Sequence, residues 1–272
     1  MPKHLDEVEF TIFDTETTGL DPFGGDRIVE IAALKVKGQQ RLGSFQALVN
    51  PHRAISPAAY EVNHISQEMI ERSPGINTVM PQFLDFIHGS CLCSYNAAFD
   101  LGFLDNELEI LGQPPLRDIM VVDILKMARR LLPELERYAL WFVAGQLGLN
   151  NQQEHRALAD VELTFGVFSK LKDTLNKKGI ADLTNFTALF GINPRVAENI
   201  KNQKIAEIQE AIGLGVKLKI KYISSLGEVT EREVTPKEIR QENKRAYLLG
   251  HCALRGEERS FRIDGILHLE IL

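Results

Sequence analysis

The chain has 272 residues, 44% of them hydrophobic and 25% charged, and a formal net charge of −6. That composition describes a soluble globular protein long enough for one large domain and a smaller one, and its sign argues against holding nucleic acid through a broad basic surface. No run of eighteen apolar residues occurs and the N-terminal Met1-Pro2-Lys3-His4 opens no apolar signal-peptide core, so the expected setting is cytoplasmic, with no membrane partner.

In chain order, residues 8–14 read as a buried strand, followed by a loop from Thr17 to Pro22 and by strands at 27–36 and 41–49, whose short connections predict a meander. Residues 51–71 are polar and read as an irregular surface segment. Residues 81–88 fit a helix with Pro81 in its first turn and Gly89 at its end. A short strand at 90–95 precedes a helix at 97–111, closed by Gly112. Residues 119–122 suggest a strand running into a helix at 124–132, then helices at 138–147 and 156–176, the last with one long apolar face. Phe99 and Trp141 sit in apolar helical patterns and read as core. Residues 180–212 keep an amphipathic period through Val196, Ile200, Ile205, Ile208 and Ile212 and read as a helical connector. Five short strands then follow, at 216–223, 229–234, 246–252, 259–263 and 268–272, which together predict a small β-barrel. Residues 213–272 carry 11 Lys and Arg against 9 Asp and Glu, leaving 20 against 28 upstream, so the tail is +2 and the body −8. Such asymmetry suggests two units with different partners. Cys91, Cys93 and Cys252 are odd in number, and the first two alternate in a strand, so they read as small core residues.

The first strand ends in Asp14-Thr15-Glu16. A period of two places both carboxylates on one side, where they repel each other unless a divalent cation lies between them. Oxygen ligands point to a hard ion, Mg²⁺ or Mn²⁺. Solvated loop acids share this spacing, so the argument needs further acids. Two later stretches supply them, Tyr95-Asn96-Ala97-Ala98-Phe99-Asp100 and His155-Arg156-Ala157-Leu158-Ala159-Asp160, each running from a loop into a helix. Asn96 suits an N-cap, which puts Asp100 near a helix start, where the backbone favours negative charge. Taken singly, Asp100 and Asp160 read as exposed helix acids and His155 as a capping residue.

Taken together and in this order, Asp14, Glu16, Asp100, His155 and Asp160 resemble the three motifs of the DnaQ-like DEDDh 3′–5′ exonucleases, across roughly residues 7–175. The resemblance implies an RNase H-like mixed five-stranded sheet flanked by helices. It implies that Asp14, Glu16, Asp100 and Asp160 hold two divalent cations, Mg²⁺ or Mn²⁺, and that His155 deprotonates the attacking water. It also implies that the backbone of Thr15 and Thr17 and the side chain of Leu20 cradle the terminal nucleotide, with Ile65 and Asn96 as further substrate contacts. The stretch Val62-Asn63-His64-Ile65-Ser66 departs from the family's usual Val-His-Gly-Ile-Thr at Asn63 and His64. The chemistry asks for such a set: two ions serve the attacking and leaving oxygens of a phosphodiester at once, and a histidine near neutrality accepts the proton.

The tail resembles a WYL domain, an SH3-like or Sm-like barrel, through Ile220-Lys221-Tyr222, Ala246-Tyr247-Leu248 and Arg259 to Ile266. Ala246 replaces the motif's Trp, and Gly265 stands where the family usually has Arg. The resemblance makes Tyr222, Tyr247, His251, Arg259 and Arg262 candidates for a nucleotide or nucleic-acid ligand. The structural alternative makes Tyr247 and Leu248 barrel core and the arginines a solvated face.

The expected organisation is therefore an α/β exonuclease domain at 1–178, a connector at 179–212 and a WYL-like barrel at 213–272. The expected activity is metal-dependent removal of nucleoside monophosphates from single-stranded nucleic-acid 3′ ends, DNA favoured. The alternatives are an RNase acting on short RNA 3′ ends and a catalytically silent nucleic-acid sensor.

Overall fold

The computed structural model of the protein describes residues 3–116, 119–150, 155–192, 194–243 and 245–272; the side chains of 194–197 and 199, Val196 of the amphipathic stripe among them, lie outside that description. Strands β1 (Glu9–Thr17), β2 (Ile28–Lys37) and β3 (Gln40–Leu48) form the expected antiparallel meander. Strands β4 (Cys91–Ser94) and β5 (Val121–Asp123) add in parallel on the other side of β1, giving a mixed five-stranded sheet of order β3-β2-β1-β4-β5.

Helices follow the predicted pattern from α4 onward, with two differences before it. The segment expected to be irregular contains α1 (Pro57–Asn63) and α2 (Gln67–Glu71), because Ser56 and Ser66 cap them by accepting from Ala59 N and Met69 N. Helix α3 (Ile76–Ile87) starts a turn earlier than Pro81 suggested, which leaves that proline inside the helix. Ile76, Val79 and Met80 are buried, and their packing outweighs the lost hydrogen bond. Next come α4 (Ala97–Ile110), α5 (Ile124–Leu131), α6 (Leu140–Gln146), α7 (Ala157–Lys177), α8 (Leu183–Phe190) and α9 (Pro194–Leu214).

Alternation along β1 sets the two layers. Phe10 and Ile12 face α7, with the Phe10 and Phe168 rings 5.1 Å apart. Phe13 faces α3 and α4, 6.1 Å from the Phe83 ring. Cys91 and Cys93 are free and buried in the first of these cores, and Cys252 is free and buried in the tail. The predicted connector divides in two. Helix α8 belongs to the first core, where Phe186 and Phe190 are fully buried and Phe186 lies 5.7 Å from Phe10. Helix α9 packs instead on the second sheet through Ile208 and Ala211.

That second sheet contains β6 (Leu218–Ile223), β7 (Val229–Glu242), β8 (Arg245–Cys252), β9 (Glu257–Arg262) and β10 (Ile266–Ile271), all antiparallel, in the order β10-β6-β7-β8-β9. It is open, in place of the expected closed barrel: among the described residues β9 and β10 do not pair. Ile208 and Ala211 of α9 join Leu218, Ile220, Val234 and Leu248 in one core, so a helix covers the face that barrel closure would otherwise bury. The tail docks on the first unit, for Ile223 and Leu267 join its core, Lys178 Nζ donates to Gly227 O at 2.7 Å and Arg130 Nη2 donates to Ile223 O at 3.1 Å. Among the described residues no helix is long and apolar enough to cross a membrane.

Candidate active site

Asp14 and Glu16 follow Phe10 and Ile12 in the alternation of β1, so they project on the α7 side of the sheet. Asp160, in the first turn of α7, meets them there. Carboxylate oxygens of Asp14, Glu16 and Asp160 lie within 4.8 Å of one another.

What brings α7 to that point is Glu30. It stands directly across from Glu16 in the β1–β2 register and is fully buried. Its oxygens accept from Arg156 Nη2 at 2.9 Å, Arg156 Nε at 3.2 Å, Ala157 N at 3.1 Å and Gln46 Nε2 at 2.9 Å. Ala157 N is one of the orphan amides at the start of α7, so Glu30 caps the helix as well as anchoring it. His155 sits immediately before Arg156, half-buried and in the left-handed backbone region with φ 50°, where the chain turns into the helix.

Asp100 arrives from the opposite layer. Thr15 points to the α4 side of β1, and its N and Oγ1 donate to Asp100 Oδ1 at 3.0 and 2.8 Å, while Ser94 Oγ donates to Oδ2 at 2.6 Å. Asp100 is therefore outside the tight trio but oriented beside it. Of the Thr15 backbone, expected to cradle the terminal nucleotide, the N–H is taken by Asp100.

The electrostatics are those of buried carboxylates crowded together. Burial, then the charges of Asp100, Glu16, Asp160 and Glu30, push Asp14 well above the ordinary carboxylate range. Glu16 is pushed up to about 8, first by burial and then by Asp160, Glu30 and Asp100. Asp100 rises to about 6 because burial outweighs the hydrogen bonds from Ser94 and Thr15. At Glu30 burial also opposes the charge, but the bonds from Arg156, Gln46 and Ala157 hold its carboxyl below the ordinary value. Among the described ion pairs none includes Asp14 or Glu16. Three convergent carboxylate oxygens fit a hard divalent cation, whose oxygen ligands lie at about 2.0–2.6 Å.

The remaining sequence candidates separate. Leu20 is 83% exposed on the loop after β1, accessible to a base, and the unpredicted Phe23 beside it is 84% exposed. Asp26 shapes that loop by accepting from Thr18 Oγ1 and Asp21 N. Thr17 is buried, its hydroxyl donating to Gly19 O at 2.6 Å. Ile65 is fully buried against Val29 and Ile70, so its side chain is packing and not a contact surface. Asn96 does precede α4, but its φ of 70° is left-handed and its side chain makes no capping bond; it is exposed. Asn63, the departure from the family pattern, is 2% exposed and ties α1 to the site by donating to Thr17 O at 3.4 Å. Phe99 packs 5.0 Å from Phe103 in the core, whereas Trp141 is 39% exposed, against expectation. Sequence reading missed Glu30, Arg156 and Ser94; an acid inside an otherwise apolar strand was the available signal for Glu30.

The tail candidates do not converge on one surface. Tyr222 packs inward, 5.3 Å from the Phe261 ring, while Tyr247 sits opposite Arg262 on the other side of its strand pair from the core residues Leu248 and Phe261. His251 is exposed opposite Glu258, Arg259 pairs with Glu257 and Arg262 Nε donates to Asp264 at 2.9 Å. A Cβ on Gly265 would come within 2.8 Å of the Tyr222 ring and 2.9 Å of Ile223 O, so the space for the family's usual arginine side chain is filled. A ligand site in the tail is not supported.

Comparison with known proteins agrees with this geometry. The RNase_T model, described as an exonuclease, matches residues 11–168, and the WYL domain model matches residues 203–271. The DNA polymerase III PolC-type protein of Thermotoga maritima is 31% identical over 97% of this chain and 19% of its own length. That of Staphylococcus haemolyticus is 33% identical over 66% of this chain and 12% of its own length. The chain thus spans less than a fifth of these curated relatives. A solved structure of exonuclease X with 5′-overhanging duplex DNA is 30% identical, covers 62% of this chain and 93% of its own, and has a TM-score of 0.51.

Proposed function

Since the chain belongs to the RNase_T exonuclease family, which makes it a phosphodiester hydrolase, and carries a WYL domain, we propose that it removes nucleoside monophosphates from single-stranded 3′ ends, DNA in preference to RNA. The observation that carries this reading is the meeting of Asp14, Glu16 and Asp160 oxygens within 4.8 Å. DNA is favoured because the 30%-identical relative was solved with DNA and the PolC-type relatives are DNA polymerases.

In this mechanism Asp14, Glu16, Asp160 and Asp100 hold two divalent cations, Mg²⁺ or Mn²⁺. When bound, such ions supply Lewis acidity and neutralise developing phosphate charge. Asp100 is kept in its orientation by Thr15 and Ser94. His155, at the turn into α7, takes the proton of the attacking water at a ring nitrogen. Leu20 packs against the last base. The nuclease unit proposed at 1–178 needs α8 as well, because Phe186 and Phe190 complete its core. The three free, buried cysteines are compatible with the reducing cytoplasm.

The test is digestion of matched single-stranded DNA and RNA carrying a 5′ label, with Mg²⁺ or Mn²⁺ and with chelator. The expected result is a ladder shortening from the 3′ end only with metal, faster on DNA. Intact strands in metal, or shortening in chelator, would overturn the reading.

A further inference from the structure

If the acidic site works on strand ends, something must hold the rest of the strand, although residues 1–212 carry a net charge of −8. In the first unit Arg27, Arg41, Arg53 and Arg156 all pair with carboxylates. Arg129 and Arg137 differ. Both are exposed, and among the described residues neither has a carboxylate within ion-pair distance, although Glu134 and Glu136 lie in the same segment. Each guanidinium lies over a ring instead: Arg129 Cζ is 5.9 Å from the Tyr138 centroid and Arg137 Cζ 5.6 Å from that of Phe142. A stacked guanidinium is already ordered, and its N–H edge stays available to an anion.

The segment carrying these arginines is fastened to the site. Tyr138 Oη donates to Leu132 O at 2.7 Å, closing the loop between α5 and α6. Tyr95 Oη donates to Tyr138 O at 2.7 Å. Tyr95 directly follows β4, which runs parallel to β1, so it lies beside the end of β1 that bears Asp14. Asp123, where α5 begins, accepts from Asn96 N at 3.2 Å, joining α5 to the entry of the helix that carries Asp100. Burial raises the Tyr95 hydroxyl pKa while the nearby Arg129 charge pulls it down.

We propose that Arg129 and Arg137, stacked on Tyr138 and Phe142, form a track for backbone phosphates of the substrate strand upstream of the bond to be cut. The proposal rests on the exonuclease reading. It relocates strand binding from the tail, whose Arg259 and Arg262 are occupied by Glu257 and Asp264, to the α5–α6 segment. Two phosphate contacts on a single strand imply a salt slope of about −1.4.

The protein carries its own probe, because its single tryptophan, Trp141, is 39% exposed and its ring is 5.7 Å from Phe142. An oligothymidylate of about twelve nucleotides, titrated into the full chain in chelator from about 50 to 200 mM salt, should quench its fluorescence. Arg129→Gln with Arg137→Gln should weaken that binding roughly ten-fold at low salt and remove about 1.4 from the slope. Arg129→Lys with Arg137→Lys should restore the slope. With metal, the Gln pair should raise KM for the long strand while kcat, and cleavage of a dinucleotide, stay at the wild-type level. Unchanged affinity and slope in the Gln pair, or no quenching by a strand that the wild-type chain cleaves in metal, would overturn the track but leave the exonuclease reading intact. A wild-type chain that binds without cleaving would instead sink the exonuclease reading, while the Gln pair still decides the track.

Discussion

Arg156 grips Glu30 in a two-pronged ion pair, with Nη2 2.9 Å from Oε1 and Nε 3.2 Å from Oε2, so a residue on the strand next to the acidic pair holds down the helix that supplies Asp160. Glu30 is fully buried, whereas the Arg156 side chain is 37% exposed. The two partners therefore differ in what their loss leaves behind.

Arg156→Gln strands a buried carboxylate and should cost about 3–5 kcal/mol, while Glu30→Gln leaves an arginine that water can reach and should cost about 1–2 kcal/mol. Both should lower kcat, roughly 10–100-fold, by loosening Asp160 and His155. Chemical denaturation with parallel kinetics checks this. A costlier Glu30→Gln would show that the anchor account is wrong.

His155→Ala should leave metal and strand binding intact while kcat falls by roughly 10² to 10⁴. A merely capping histidine would cost about 1 kcal/mol of stability with turnover unchanged.

The metal-free protein should lose stability as pH rises. Glu16 has a folded-state pKa raised from 4.5 to about 8, so between those values the folded state binds more protons than the unfolded chain, and stability falls through that window. Asp100, raised from 3.8 to about 6, acts in the same direction over a lower range. Thermal melts in chelator from acid to alkaline pH should show a falling Tm. Divalent metal should remove most of the slope, and Glu16→Gln should make it shallower without metal. A Tm that climbs across this window in chelator would contradict the charge balance described for the site.

Asp14→Asn, Glu16→Gln, Asp100→Asn and Asp160→Asn should each abolish turnover while the fold survives. Near wild-type activity at saturating metal in any of the four would remove that residue from the ligand set.

Phe186→Ala should cost about 3–5 kcal/mol, the usual range for a buried Phe truncation. Truncation after residue 178 removes α8 altogether and should unfold the nuclease unit, whereas truncation after 192 keeps Phe186 and Phe190 with Phe10 and Phe168. Comparing the melts of the two truncations decides where the unit ends.

The sequence by itself determined the strand meander, the helix carrying Asp100, the long helix carrying Asp160, and the sharing of one strand side by Asp14 and Glu16. Each follows from a local period: two along a strand, 3.6 along a helix. The same reasoning separated the tail into short strands but could not place α8, because its apolar face suits either unit until Phe10 and Phe168 are known to receive it. Only the tertiary structure decided that Asp160 reaches the pair from one face of the sheet and Asp100 from the other, held by Thr15 and Ser94. Only it showed that Glu30 and Arg156, 126 positions apart, dock the helix at the site. Periodicity fixes which way a side chain points from its own element; which element it then meets is set by packing between layers distant in sequence, and no local spacing encodes that.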